Sequence, residues 1–190
     1  MVEKINLRSH RKHIKRINYS KFDLGNDSPL FLLAGPCIIE DLSICKEIAD
    51  EAKRVCEKFN VNYFFKASFD KANKTIPGSY RGPGWEVGLE ELKKIKKNIQ
   101  VPIVTDVHER GQCQLASEVA DILQIPALLS KQIDLILDAA RTGKIINTKT
   151  NKIDMKINVF LPCKRNSTRV KNKNKRRFAK VDFGLIKIKL

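Results

Sequence analysis

Between Phe64 and Gly84 the chain reads FFKASFDKANKTIPGSYRGPG, an apolar run that turns cationic within a few residues and sets Lys66, Lys71, Lys74 and Arg81 in one loop. Like charges this close repel unless they face water or a shared anion. Elsewhere Asp106 and His108 stand together in VTDVHE, Lys149 follows KIINT, and Cys37 ends PLFLLAGPC. Cations in such a loop can line an anion-binding cup rather than a solvated surface. An imidazole among them either takes part in the chemistry or makes a structural hydrogen bond. A cysteine there is either a metal ligand through its thiolate or a small packed hydrophobe.

Each of these residues falls where an apolar run ends. PLFLLAGPCII is nearly continuous and reads as a buried strand, and Asp41 can cap a helix from Leu42 to about Lys58. NYFFKAS is a second strand, followed by a helix over Glu86 to Lys97 whose Val87, Leu89, Leu92, Ile95 and Ile99 recur at helical spacing. VPIVTDV, ADILQIP and KIINTK are three more strands, with helices at about Gln112 to Ser117 and about Lys131 to Arg141, the latter closed by Gly143. Alternation with short connections implies a parallel sheet, either doubly wound or a (β/α)8 barrel. No Gly-rich phosphate turn follows the first strand, which counts against the doubly wound nucleotide-binding option. In a barrel the strand C-termini converge on one mouth, so Cys37, Lys66, Asp106, His108 and Lys149 would share one anion-binding cup.

At 190 residues, 42% hydrophobic and 31% charged, the chain has the composition of a soluble globular domain. No apolar run reaches the roughly 20 residues of a membrane span, and no apolar segment follows the basic opening as a secretory signal requires. Arg8, Arg11, Lys12, Lys15 and Arg16 have the sign of a transit peptide, but Glu3 and the missing amphipathic stripe oppose it. The five cysteines are odd in number with no C-x-x-C pair, which fits a reducing cytoplasm rather than a disulfide framework or a zinc ribbon. Cys45 and Cys56 lie on an apolar helical series and read as core thiols. The net charge of +16 is uneven: residues 151–190 hold 13 Lys and Arg against 2 Asp, net +11, and residues 1–150 hold 24 against 19, net +5. The chain therefore divides into a basic extension over residues 1–16, an α/β domain over 17–150, and an irregular Lys/Asn-rich tail over 151–190.

LAGPC, FFKASFDKAN, SYRGPG, PIVTDVHE, ILQIPALL and ARTGKIIN, in this order, closely resemble the 3-deoxy-D-manno-octulosonate 8-phosphate synthases from about Ile17 to Lys149. The resemblance implies the N-terminal part of a (β/α)8 barrel, with about five strands. It also implies condensation of phosphoenolpyruvate with arabinose 5-phosphate, with release of phosphate, on the route to the sugar of lipopolysaccharide. AGPC is shared with the related heptulosonate 7-phosphate synthases, whereas KASFDKAN stands where those carry a K-P-R-T-S type segment. By resemblance Lys66, Lys71 and Lys149 contact phosphoenolpyruvate, Asn73, Lys74 and Thr75 face the sugar phosphate, and Arg81 and Lys131 are further substrate-binding positions. Asp106 would hold sugar hydroxyls, with His108 beside it either catalytic or structural. Cys37 places the chain with the metal-dependent class, in which it would ligate Mn, Co, Zn or Fe, and the intact family implies a homotetramer in the cytoplasm.

Lys74 and Lys131 stand where the family usually has Arg, exchanging a bidentate fork for a point charge, and TIPG over Thr75–Gly78 departs from the usual run. After Lys149 the family's Gly-Gln-Phe segment and remaining half barrel are not recognisable, as a truncation or a reading-frame disruption in an AT-rich gene would produce. The expectation is then that the first and fifth strands are unpaired edges, and that the chain is poorly soluble, binds no stoichiometric metal and does not condense the two substrates. The rival readings are a heptulosonate synthase and a nonenzymatic fragment whose tail, KRNSTRVKNKNKRR, contacts nucleic acid. That tail lacks the interleaved aromatics suited to base stacking.

Overall fold

Parallel strands buried on both faces need apolar side chains pointing both ways, and Phe31–Pro36 supplies them. The computed structural model describes residues 16–19, 22–25, 29–72, 78–149, 160–163, 177–178 and 181–182. An antiparallel hairpin of β1 (Arg16–Tyr19) and β2 (Phe22–Gly25) comes first. Then β3 (Phe31–Pro36), α1 (Leu42–Lys58), β4 (Asn62–Lys66), α2 (Trp85–Ile99), β5 (Ile103–Asp106), α3 (Arg110–Ser117), β6 (Ile122–Ile125), α4 (Ile133–Arg141) and β7 (Ile145–Thr148) alternate. These five strands are parallel in the order β7-β6-β5-β4-β3, a partial (β/α) barrel. Among the described residues no helix is long and apolar enough to cross a membrane.

The sheet has two differently composed faces because successive side chains point opposite ways. Outward, Leu32, Tyr63, Phe65, Ile103 and Leu123 pack under the helices, against Cys45, Ala49 and Cys56 of α1, Leu92 and Ile95 of α2, and Ala116 and Ala139 of α3 and α4. Cys45 and Cys56 are thus the core thiols the sequence predicts, and burial pushes both up to about 11. Inward, Leu33, Phe64, Val104 and Ile122 form a second cluster with Phe31 and Ile145, joined by Leu24 of β2. The hairpin therefore brings an apolar side chain to the inner face at its lower end. Two residues further along each strand the same face turns polar: Lys66 follows Phe64, Asp106 follows Val104, Gln124 follows Ile122 and Asn147 follows Ile145.

Three differences from the sequence reading have physical causes. The hairpin falls on RINY and FDLG, at the boundary between the basic extension and the α/β domain. Its strands of four residues are too short for a strong period-2 signal. The tail, read as irregular, contributes β8 (Phe160–Cys163), which runs parallel to β3 with Leu33 opposite Phe160 and Pro36 opposite Cys163. It also contributes β9 (Arg177–Phe178) and β10 (Val181–Asp182), paired antiparallel. The edge of the first barrel strand is therefore paired, not open, as an apolar edge demands. Residues 1–15 of the basic extension and the rest of the tail lie outside the described residues. A short 3-10 turn over Ala127–Leu129 precedes α4, which starts at Ile133 rather than at Lys131.

Helix α2 is seated by two glycines. A Cβ on Gly82 would fall 2.2 Å from the Phe69 carbonyl oxygen, and one on Gly88 would fall 2.3 Å from Phe69 Cβ. Phe69 is fully buried and cannot move aside, so SYRGPGWEVG is a packing requirement for the loop that carries Lys71. Gly88→Ala is expected to cost about 1–3 kcal/mol by overpacking. Gly111→Ala in α3, where nothing lies within 4 Å, should gain roughly 0.5–1 kcal/mol. Urea unfolding of both variants checks this, and equal effects would contradict the packing account.

Candidate active site

At the C-terminal end of the sheet the polar layer closes round one carboxylate. Lys66 ends β4 and is buried to 1% exposure; its Nζ donates to Asp106 Oδ2 at 2.9 Å and to Ser68 Oγ at 2.7 Å. Lys71, five residues on, donates to the same Oδ2 and to Ser68 Oγ, both at 2.8 Å. The Ser68 hydroxyl itself donates to Asp106 Oδ2, and Gln124 Nε2 donates to Oδ1. Asn147 Nδ2 in turn donates to Gln124 Oε1 at 3.0 Å. Lys149, just past β7, and Cys37, just past β3, sit close enough to interact electrostatically with Lys71.

Titration follows from this crowding. Burial pulls Lys66 down to about 8, against the upward pull of Asp106, while Lys71 adds to the fall. Lys71 is less enclosed; burial lowers it, but Asp106 and Cys37 outweigh burial and it ends above its ordinary value. Burial alone would raise Asp106, yet Lys66 and Lys71 hold it far below the usual carboxylate range. Lys149 is lowered, chiefly by burial. His108 is also lowered by burial, against Asp106 and Asp70, and its buried Nδ1 has no hydrogen-bond partner among the described residues. A neutral imidazole with an unused nitrogen thus borders the cup.

The structure brings together Cys37, Lys66, Lys71, Asp106, His108 and Lys149 of the residues the sequence nominates. Arg81 lies outside this group: its guanidinium is exposed and pairs bidentately with Asp70, Nε at 3.0 Å and Nη2 at 2.7 Å. Its backbone carbonyl accepts from Lys71 N at 2.8 Å, so Arg81 braces the lysine loop. Lys131 is exposed in the turn before α4. Asn73, Lys74 and Thr75 lie outside the described residues. Ser68, Gln124 and Asn147 were missed, although each has the alternation parity of the inward face.

A divalent ion is implied by resemblance, with Cys37 as ligand. Among the described residues no three His, Cys, Asp or Glu side chains converge. Cys37 is instead bordered by lysines, which repel a cation. The described residues do not fit a metal centre.

A parallel sheet whose strand ends gather buried lysines round the Asp106 carboxylate defines a barrel-type protein with a cationic cup at the C-terminal face. The chain belongs to the DAHP synthetase I family, whose model matches residues 9–169. It is similar to proteins called 2-dehydro-3-deoxyphosphooctonate aldolase. That of Fusobacterium nucleatum is 46% identical over 136 residues, 72% of this chain and 49% of the relative. That of Magnetococcus marinus is 49% identical over 125 residues, 66% and 44% of the two chains. That of Desulfotalea psychrophila is 46% identical over 132 residues, 70% and 47%. The chain spans about half the length of the curated relatives it matches.

Asp106→Asn strands two ammonium groups and is expected to cost about 3–5 kcal/mol. The pH dependence has definite signs. The stability that depressed Asp106 contributes is present above the ordinary carboxylate value and lost as pH falls through the acid range. Lys66, at about 8 folded against 10.5 unfolded, binds fewer protons in the native state between those values, so its contribution to stability rises with pH across that window. Urea unfolding at stepped pH should show this rise in the wild type and not in Lys66→Met; identical profiles would contradict the assignment.

Proposed function

We propose that residues 17–150 form the phosphoenolpyruvate-binding part of a 3-deoxy-D-manno-octulosonate 8-phosphate synthase, a carbon–carbon bond-forming transferase that condenses phosphoenolpyruvate with arabinose 5-phosphate. The observation that carries this reading is the cup itself: Lys66 and Lys71 beyond the end of β4 and Lys149 beyond the end of β7, gathered round the Asp106 carboxylate. Buried positive charge in excess calls for an anionic ligand. Phosphoenolpyruvate brings a phosphate and a carboxylate on one small frame. The names of the relatives support the eight-carbon product, and KASFDKAN argues against the seven-carbon one.

In the reaction, C3 of phosphoenolpyruvate attacks the sugar aldehyde while water adds at C2, and the C2–O bond to phosphate then breaks. Lys66, Lys71 and Lys149 hold the anionic groups and balance the charge that develops, which is where positioning and electrostatics contribute most. Asp106 anchors the lysines and accepts from a sugar hydroxyl. In this reading neutral His108, whose Nδ1 has no partner among the described residues, accepts or passes a proton during the condensation. Asn73, Lys74 and Thr75 take the sugar phosphate. The wider reading keeps three more family features as proposals: a homotetramer, cytoplasmic location and a role in lipopolysaccharide synthesis.

Calorimetric titration with phosphoenolpyruvate tests the reading directly. Binding should occur and weaken by roughly tenfold or more in Lys71→Met, the loss of one charge-assisted contact. Among sugars, arabinose 5-phosphate and not erythrose 4-phosphate should bind to the phosphoenolpyruvate complex, and Asn73→Ala should impair this second step more than the first. Absence of phosphoenolpyruvate binding, or indifference to Lys71→Met, would overturn it.

A further inference from the structure

Among the described residues Gln124 is the buried amide that bonds the carboxylate organising the cup, and nothing in the proposed chemistry uses it. It lies on the inner face of β6 at 1% exposure, between Asp106 on β5 and Asn147 on β7. A carboxylate can only accept, so Nε2 must face Asp106; that leaves Oε1 toward Asn147, whose Nδ2 donates to it at 3.0 Å. The amide is thereby held from both sides and cannot turn over. Asp106 Oδ1 is occupied by this bond, so Oδ2 is presented to Lys66, Lys71 and Ser68.

We infer that Gln124 is a positioning residue: backed by Asn147, it fixes the Asp106 carboxylate by one oxygen so that the other gathers the Lys66 and Lys71 ammoniums into the arrangement that receives the anion. Gln124 touches neither lysine among the described hydrogen bonds and acts on them through Asp106. The inference deepens the synthase reading and rests on it for the identity of the anion, but the arrangement of the two lysines can be read without any ligand. Removing the amide leaves Oδ1 without its donor, and the carboxylate is then free to turn and share its oxygens differently. Shortening the side chain by one methylene keeps the amide chemistry but withdraws its reach.

The decisive signal is the proton–nitrogen correlation of the lysine ammonium groups, which survives solvent exchange only where an ammonium is buried and hydrogen-bonded. At mildly acidic pH, wild-type protein should show such correlations for Lys66 and Lys71. Gln124→Met and Gln124→Asn should shift or abolish both together. Asn147→Ala, at a half-buried position less demanding of the fold, should do so to a lesser degree. Leu123→Ala, on the outer face of the same strand, should lower the melting temperature and leave both signals in place. Unchanged ammonium signals in folded Gln124→Met, or in Asn147→Ala should the first variants not fold, overturn the positioning role. Phosphoenolpyruvate titrations on the same samples separate the two claims. Affinity falling about tenfold with the signals supports both. Altered signals in a protein that does not bind phosphoenolpyruvate keep the role of Gln124 and sink the synthase reading.

Discussion

The pairing of Asp106 with Lys66 and Lys71 is the constraint on which the rest of the site depends. A lysine at 1% exposure would shed its proton or resist burial without a partner. Asp106 supplies that partner, and it does so for the Lys66 and Lys71 ammoniums together. Buried ion pairs are often no more stabilising than apolar residues of similar volume. Cations already fixed and desolvated need not reorganise when an anion arrives, so under the proposed function the cluster is preorganised.

Holding that layer in place is the work of the surrounding packing. Below it, Leu24, Leu33, Phe64, Val104 and Ile122 fill the inner face, so the charged layer rests on an apolar floor. Beside it, the loop carrying Ser68 and Lys71 is pinned by Phe69 under Gly82 and Gly88. The bond from Lys71 N to the Arg81 carbonyl and the ion pair of Arg81 with Asp70 complete the brace. Arg81, nominated as a substrate-binding position, ties the loop down through Asp70 in the unliganded protein.

Much of this was legible from the residues. The five central strands and four helices follow from apolar runs, Asp41 at the cap of α1 and Gly143 after α4. The gathering of Cys37, Lys66, Asp106, His108 and Lys149 follows from their shared position at strand ends. The polar layer could have been read from alternation alone, since F-x-K, V-x-D, I-x-Q and I-x-N repeat one change of character at one height in four strands. Ser68, Gln124 and Asn147 escaped because uncharged polar residues announce no chemistry until a partner is known. The hairpin and β8 escaped because four-residue strands carry little periodicity, and the second pairs with a partner more than a hundred residues away in sequence.

The central claim is that the strand ends form a preorganised anion cup built on Asp106, and the most direct measurement is a crystal structure of the protein soaked with phosphoenolpyruvate. The account predicts the ligand inside the cup, its oxygens about 2.7–2.9 Å from the Nζ atoms of Lys71 and Lys149, with Asp106 still held by Gln124 as in the unliganded protein. An empty cup, with phosphoenolpyruvate bound elsewhere on the basic surface, would contradict it.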